Sequence, residues 1–247
     1  MRSVRAAAIG MLALALVAAC APAAEERAPV TVFAAASLHD AFEDIARAFE
    51  AERPDIDVRP IVSDGSSVLV TQLEEGAHAD VLATADEQTM TRAAELAGPA
   101  EVFATNTLVL VAPVGGAVGE LADLADRSLD VVLCAPEVPC GAASRALLER
   151  AGIAVVPASE EQNVTAVLTK VETGVADAGL VYRTDAIGRD VTVTEPPEAA
   201  DIVNRYPIAV LDDAREPDAA AAFAAFVSGP EGQRILDRHG FGAPGAP

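Results

Sequence analysis

Ser37 has more chemical potential than most residues of this chain because of what surrounds it. Pro29-Val30-Thr31-Val32-Phe33 reads as a strand and Ala34-Ala35-Ala36 as a turn of small residues. Leu38, Ala41, Phe42, Ile45, Ala46 and Phe49 then fall on one face at helical period. Ser37 is the expected N-cap, with Asp40 three residues on completing a capping box in which Asp replaces Glu. A helix start leaves several N–H groups unpaired and carries partial positive charge, so a strand–turn–helix of this kind can seat an anion. The alanines let a ligand approach the backbone. Ser37, His39 and Asp40 are also the residue types of a hydrolase triad. Their close succession at a helix start points them in different directions, and His39 is expected on the helix surface.

Three further turns repeat the device. Ser63-Asp64-Gly65-Ser66-Ser67 opens a helix carrying Val68, Leu69, Gln72 and Leu73, which Gly76 closes; taken alone, Ser66 is an ordinary N-cap. Cys140-Gly141 follows a strand at 129–133 and opens a helix over 141–150. Asn163 is the expected N-cap of a helix with Val164, Val167, Leu168 and Val171 on one side. Four such starts around one cleft would hold an anion without any fixed positive charge. Metal chemistry has little support: His78 and His239 stand alone, and no HExxH pattern occurs. Gly240-Phe241-Gly242-Ala243-Pro244-Gly245 matches GxGxxG by spacing only, with no helix after it to receive a pyrophosphate.

The elements that must position these turns alternate. Short apolar strands and amphipathic helices follow one another from Pro29, the pattern of an α/β fold with mostly parallel sheet flanked by helices. A strand is expected near 56–62, a short buried one within 80–86, and a long one over 105–113 that could carry the chain from one lobe into another. Another ends at Tyr182, the first of only two tyrosines, and one at 205–211 returns to the first lobe. An alanine-rich helix is expected near Leu121, and two helices close the chain, around 219–226 and 231–239.

The 247 residues suffice for one large domain or two small ones, and 51% hydrophobic content supports a substantial core. Aromatics are 4% and Trp is absent, which argues against sugar- and base-stacking surfaces. The formal net charge of −21 makes a nucleic-acid partner improbable. It also repels any anionic ligand, so an anion site here must rely on local N–H and O–H donors.

Residues 1–19 read as a signal peptide, with Arg2 and Arg5 ahead of an apolar run too short to span a bilayer comfortably. The run ends in Val17-Ala18-Ala19-Cys20, which resembles a bacterial lipobox. Cleavage before Cys20 would remove two arginines and no acid, leaving the chain more negative still. Cys20 is then the expected lipidation site and residues 20–28 a tether, with the protein working outside the cell membrane. Two cysteines remain, in Cys134-Ala135-Pro136-Glu137-Val138-Pro139-Cys140. The compartment permits a disulfide and the prolines favour a turn, so a local disulfide is expected over free thiols or a metal site.

The chain from about 30 to 241 resembles the periplasmic molybdate-binding proteins of ABC transporters. The resemblance is carried by Val32-Phe33-Ala34-Ala35-Ala36-Ser37-Leu38, Gln72-Leu73-Glu74-Glu75-Gly76-Ala77-His78-Ala79-Asp80, Pro136-Glu137-Val138-Pro139-Cys140-Gly141, Gly179-Leu180-Val181-Tyr182 and the terminal Arg238-His239-Gly240-Phe241. It implies a two-lobed type II binding-protein fold gripping one tetrahedral dianion, molybdate or tungstate. The first lobe would comprise 29–108 and 207–247, the second 109–206. The implied ligands are Ser37 and Ser66 through hydroxyl and N–H, the backbone N–H of Cys140 and of Val164, and the Tyr182 hydroxyl. The implied partners are the oxyanion and a transporter permease, with a membrane contact through Cys20 alone, no cofactor, and a monomeric state. Two positions depart from the family's pattern. Cys140 stands where a small residue such as Ala is commoner, and the Ser-rich turn contains Asp64-Gly65, whose carboxylate must point away from a dianion. The rival readings are another oxyanion, sulfate or phosphate, and a secreted serine hydrolase using Ser37. Phosphate keeps a proton that needs an acceptor, for which Asp64 is the only candidate.

Overall fold

The structure is a computed structural model that describes residues 27–245; the expected signal peptide over 1–19, the expected lipidation site Cys20 and nearly all of the expected 20–28 tether lie outside the described residues. Ala28, the last tether residue, already belongs to the first strand. Strand β1 (Ala28–Val30) leads into β2 (Val32–Ala35), a single 3-10 turn (Ala36–Leu38) and helix α1 (His39–Glu52). The expected strand at 56–62 is two strands, β3 (Ile56–Val58) and β4 (Val62–Asp64). Pro60 lies between them and has no N–H to continue a ladder. β3 pairs with β1 in a small separate sheet, while β4 joins the main one. Then follow α2 (Ser66–Glu74), β5 (Val81–Ala83), α3 (Glu87–Arg92) and the long β6 (Glu101–Pro113). The helix expected near Leu121 is a short 3-10 segment, Leu121–Ala125. The second half contains β7 (Val131–Cys134), α4 (Pro139–Ala151), β8 (Ser159–Glu161), α5 (Val164–Glu172), β9 (Ala178–Tyr182) and β10 (Val191–Thr194). β8 and β10 escape sequence reading because each is short and largely polar or solvent-facing. β11 (Val203–Val210), α6 (Pro217–Ser228) and α7 (Pro230–Arg238) complete the chain.

The nine-stranded sheet runs β4-β2-β5-β11-β6-β9-β7-β8, with β10 also on β6. Parallel pairs lie at the centre of each half: β2 with β4 and β5, and β7 with β8 and β9. The antiparallel pairs all involve β6 or β11, the two strands that cross between the halves. β6 pairs with β11 from Glu101 to Thr107, then with β9 from Leu108 to Val111. One continuous buried strand thus holds both halves in register. An aromatic cluster packs α1 and α6 onto the first half: Phe42 meets Phe103 and Phe223 at 5.8 and 6.1 Å, and Phe49 meets Phe223 and Phe226 at 5.4 Å each.

Two acids hold this frame. Asp80, 1% exposed, accepts from the Thr31 amide at 2.7 Å and the Arg215 amide at 2.8 Å. Its own N–H and C=O pair with the backbone of Thr31 and Leu211. The Ala79-Asp80 end of the family-like segment is therefore a structural clamp joining β2, β5 and the chain beyond β11. Asp185, in the 3-10 turn Arg183–Ala186 after β9, accepts from the Tyr182 amide at 3.0 Å. Burial pushes its carboxyl up to about 7, with Asp40 adding to the rise while the Tyr182 amide and Arg189 oppose it.

Asp80→Ala would leave two part-buried amides without their carboxylate partner, so it is expected to destabilise by about 1–3 kcal/mol, read as a lower urea midpoint at unchanged slope. Asp185 gives a pH dependence of defined sign. Between the unfolded carboxyl's ordinary value near 4 and about 7, the native chain holds a proton that the unfolded chain has lost. Stability therefore falls as pH rises through that window. Asp185 keeps some solvent contact, which holds the fall to about 1–2 kcal/mol. In Asp185→Asn that component of the slope should vanish; equal pH profiles for the two proteins would refute the assignment.

Candidate functional site

Ser37, Ser66, Cys140, Val164 and Tyr182 all line one cavity between the two halves of the sheet. It is small: its volume of about 20 Å³ is room for roughly one water-sized or small inorganic guest, far less than pockets for organic ligands offer. Ala35, Ala36 and Ala85 form the small-residue part of its wall, and the lining contains no lysine, arginine, aspartate or glutamate. A larger depression beside Met90, Gly98 and Asp212 gathers no comparable set of donors.

Four element starts meet at this cavity: the 3-10 turn before α1, and the first turns of α2, α4 and α5. Each helix begins for a local reason. Gly65 is the N-cap of α2, Pro139 fixes the first turn of α4, and the Asn163 side chain caps α5 by accepting the Ala166 amide at 3.0 Å. The N–H groups of Ser66, Cys140 and Val164 sit in first turns, where no intrahelical acceptor exists. α4 is pinned by close packing, since a Cβ on Gly141 would lie 1.8 Å from the Ala135 carbonyl oxygen. A disulfide between Cys134 and Cys140, with Cα atoms 5.7 Å apart, ties the end of β7 to the same turn.

Ser37 is not a helix cap. It is the middle residue of a 3-10 turn whose N-cap position is Ala35, and its hydroxyl makes no capping bond. Its Oγ lies 3.0 Å from the Tyr206 hydroxyl instead. No capping box forms with Asp40 either, since the cap of α1 is Leu38 and carries no side-chain bond. Ser66 departs from the simple N-cap too: it is the first residue of α2, and its Oγ accepts the Ala85 amide at 3.0 Å. The Tyr182 hydroxyl accepts from Asn204 Nδ2 at 2.9 Å. Burial, with Tyr206, Asp86 and Asp185 nearby, pushes the Tyr182 phenol well above its ordinary value, so it stays protonated. Ser66 and Tyr182 each receive a hydrogen bond from the protein and therefore keep their own proton to donate.

Asp64 points away from the cavity. Its Oδ1 accepts from the Gly65 amide at 2.7 Å and from Asn163 Nδ2 at 2.8 Å, bridging β4 to the start of α5. Ser67 Oγ donates to the Glu137 carbonyl at 2.8 Å beside it. Gly65 packs so closely on the far wall that a Cβ would lie 2.0 Å from the Gln162 carbonyl oxygen. The two walls of the cleft thus meet beside the cavity at Gly65 and Gln162. A triad is excluded by position: His39 Nδ1 faces Ser63 Oγ at 3.1 Å, and Ser37 faces Tyr206.

Sequence reading missed the layer behind the site: Tyr206, Asn106 and Asn204, all buried. Tyr206 and Tyr182 meet edge to face, with ring centroids 5.9 Å apart. Asn106 Nδ2 donates to Thr184 Oγ1 at 2.8 Å and lies 3.5 Å from the Tyr206 hydroxyl. The available signal is an asparagine inside each of two largely apolar strands, where a buried amide requires partners.

The sequence profile of the family described as bacterial extracellular solute-binding protein matches residues 30–242. The molybdate-binding protein ModA of Mycobacterium tuberculosis is 48% identical over 222 residues, covering 87% of this chain and 85% of that protein. ModA of Escherichia coli is 31% identical over 233 residues, covering 86% and 88%. Among solved structures, the periplasmic molybdate-binding protein of Azotobacter vinelandii shares the fold with a TM-score of 0.76 at 22% identity, over 87% of this chain and 99% of that one. A two-lobed α/β architecture, a cleft between the lobes and a profile match over most of the sequence lead to one conclusion: the chain belongs to the bacterial extracellular solute-binding protein family.

Proposed function

We propose that this chain captures molybdate or tungstate outside the cell membrane and delivers it to an ABC importer. The observation that carries the reading is the donor set. Hydroxyls of Ser37, Ser66 and Tyr182 and first-turn amides of Ser66, Cys140 and Val164 surround a small cavity whose lining carries no charged side chain. Tetrahedral dianions present only acceptor oxygens, and hydrogen bonds to charged oxygens are among the stronger ones. Hydrogen phosphate would need an acceptor, and Asp64, the candidate for that role, is bound to Gly65 and Asn163 instead. The 48% identity to a molybdate-binding protein supports molybdate over sulfate.

In this reading residues 29–108 and 207–247 form one lobe and 109–206 the other, closing about β6 and β11 as the ion bridges them. The protein acts as a monomer and as a non-enzymatic carrier. The lipobox-like Val17-Ala18-Ala19-Cys20 supports anchoring through lipid on Cys20, with residues 20–28 as the tether.

Calorimetry with molybdate should give one-to-one binding, with tungstate close behind and sulfate a weak competitor; no heat with either metal oxyanion would refute the proposal. Ser66→Ala removes a donor to a charged oxygen and should weaken molybdate binding by about 1.5–3 kcal/mol, roughly 10- to 150-fold. Gly65→Ala tests closure. Gly65 has φ −57°, which alanine adopts freely, so the open protein should keep its stability. The added Cβ collides with the Gln162 carbonyl in the closed cleft, and affinity should fall at least about tenfold as closure loses ~1.4 kcal/mol or more.

A further inference from the structure

We propose that Asn204 is a positioning residue that aims the Tyr182 hydroxyl proton into the cleft and thereby sets which oxyanions the site accepts. The inference rests on the binding reading above and adds a residue that does not line the cavity. Asn204 is 7% exposed on β11 and directly opposite Asn106 on β6. Its Nδ2 lies 3.0 Å from the Ala85 carbonyl oxygen and 2.9 Å from the Tyr182 hydroxyl. A carbonyl oxygen can only accept, so the atom facing Ala85 is the NH2 group, which fixes the amide's orientation. The second hydrogen of that NH2 is then donated to the Tyr182 oxygen. With one lone pair of that oxygen engaged, the phenol acts toward the cavity as a donor.

The other hydroxyl beside the Tyr182 phenol is Tyr206, within hydrogen-bonding reach of it and also 3.0 Å from Ser37 Oγ. A dianion in the cavity is a stronger acceptor than a neutral phenol oxygen, so the Tyr182 proton goes to the ligand. Ala85 contributes on both sides of the same wall: its carbonyl holds Asn204, and its amide donates to Ser66 Oγ. Two hydroxyls of the site, from opposite halves of the sheet, are thus polarised through one residue. Without Asn204, the Tyr182 hydroxyl could rotate and accept. Hydrogen phosphate or hydrogen arsenate, each bringing an O–H, could then be accommodated.

A double-mutant cycle separates this role from a structural one. Asn204→Leu should weaken molybdate binding about 5- to 15-fold, as for loss of one oriented hydrogen bond, and narrow the preference for molybdate over hydrogen phosphate at pH 8 by a similar factor. In the Tyr182→Phe background, Asn204→Leu should change molybdate affinity by less than about twofold. Asn204→Ala, which adds no bulk, should follow the same pattern, and thermal unfolding without ligand identifies any variant that fails to fold. Equal losses in both backgrounds, or an unchanged molybdate-to-phosphate ratio, would overturn the role of Asn204 alone. A wild-type protein that binds none of these oxyanions would overturn the binding reading on which it rests.

Discussion

Unpaired amide hydrogens at helix starts are the constraint on which this structure turns. Each α-helix begins with N–H groups that have no partner within the helix, and such groups are costly to bury alone. Here the first turns of α2, α4 and α5, with the 3-10 turn before α1, converge on one small cavity. The chain meets their demand in two ways. Some amides are capped internally, as Asn163 caps the Ala166 amide and Asp64 takes that of Gly65. Those of Ser66, Cys140 and Val164 stand at the cavity. In the proposed function a doubly charged acceptor would satisfy them all at once, which is how a chain of net charge −21 would hold an anion with no cation in the lining.

The long strands make that convergence possible. β6 and β11 pair with each other and extend into both halves, so the helix starts are referenced to one continuous ladder. Tyr182 from β9 and Tyr206 from β11 meet edge to face behind the cavity, and Phe241 closes on Tyr206 at 5.5 Å. The polar atoms of this wall form an ordered network rather than isolated groups. Buried networks of this kind are favourable only when each member is satisfied. Asn204 and Asn106, facing each other across β6 and β11, supply the amide donors that satisfy the phenols.

Much of this was legible in the sequence because it is local. Asn163 before an apolar helical face, Gly76 and Gly174 after one, and the apolar runs in β2, β6 and β9 are decided within a few residues. The five expected ligand residues came from resemblance and lie around one cavity, although the local chemistry of two of them was misjudged. Ser37 and Ser66 look like helix caps in sequence, yet their hydroxyls bond to Tyr206 and to the Ala85 amide, partners 169 and 19 residues away. Nothing local announces such a partner. The split of 56–62 into two strands has a local cause as well, Pro60, whose missing N–H ends the first ladder. The orientation of Asp64 was beyond reading, because the group that turns it, Asn163, is 99 residues distant.

The central claim is that uncharged, oriented donors, and not cationic side chains, hold the anion within an acidic shell. Its most direct test is the salt dependence of molybdate affinity, measured in sodium chloride from about 0.01 M to about 1 M, over which screening shortens from ~30 Å to ~3 Å. A cationic site would lose affinity steeply across that range. Held by dipoles against a repelling net charge, molybdate should bind as tightly at high salt as at low, or more tightly as the repulsion is screened. A steep, monotonic weakening with added salt would contradict the account.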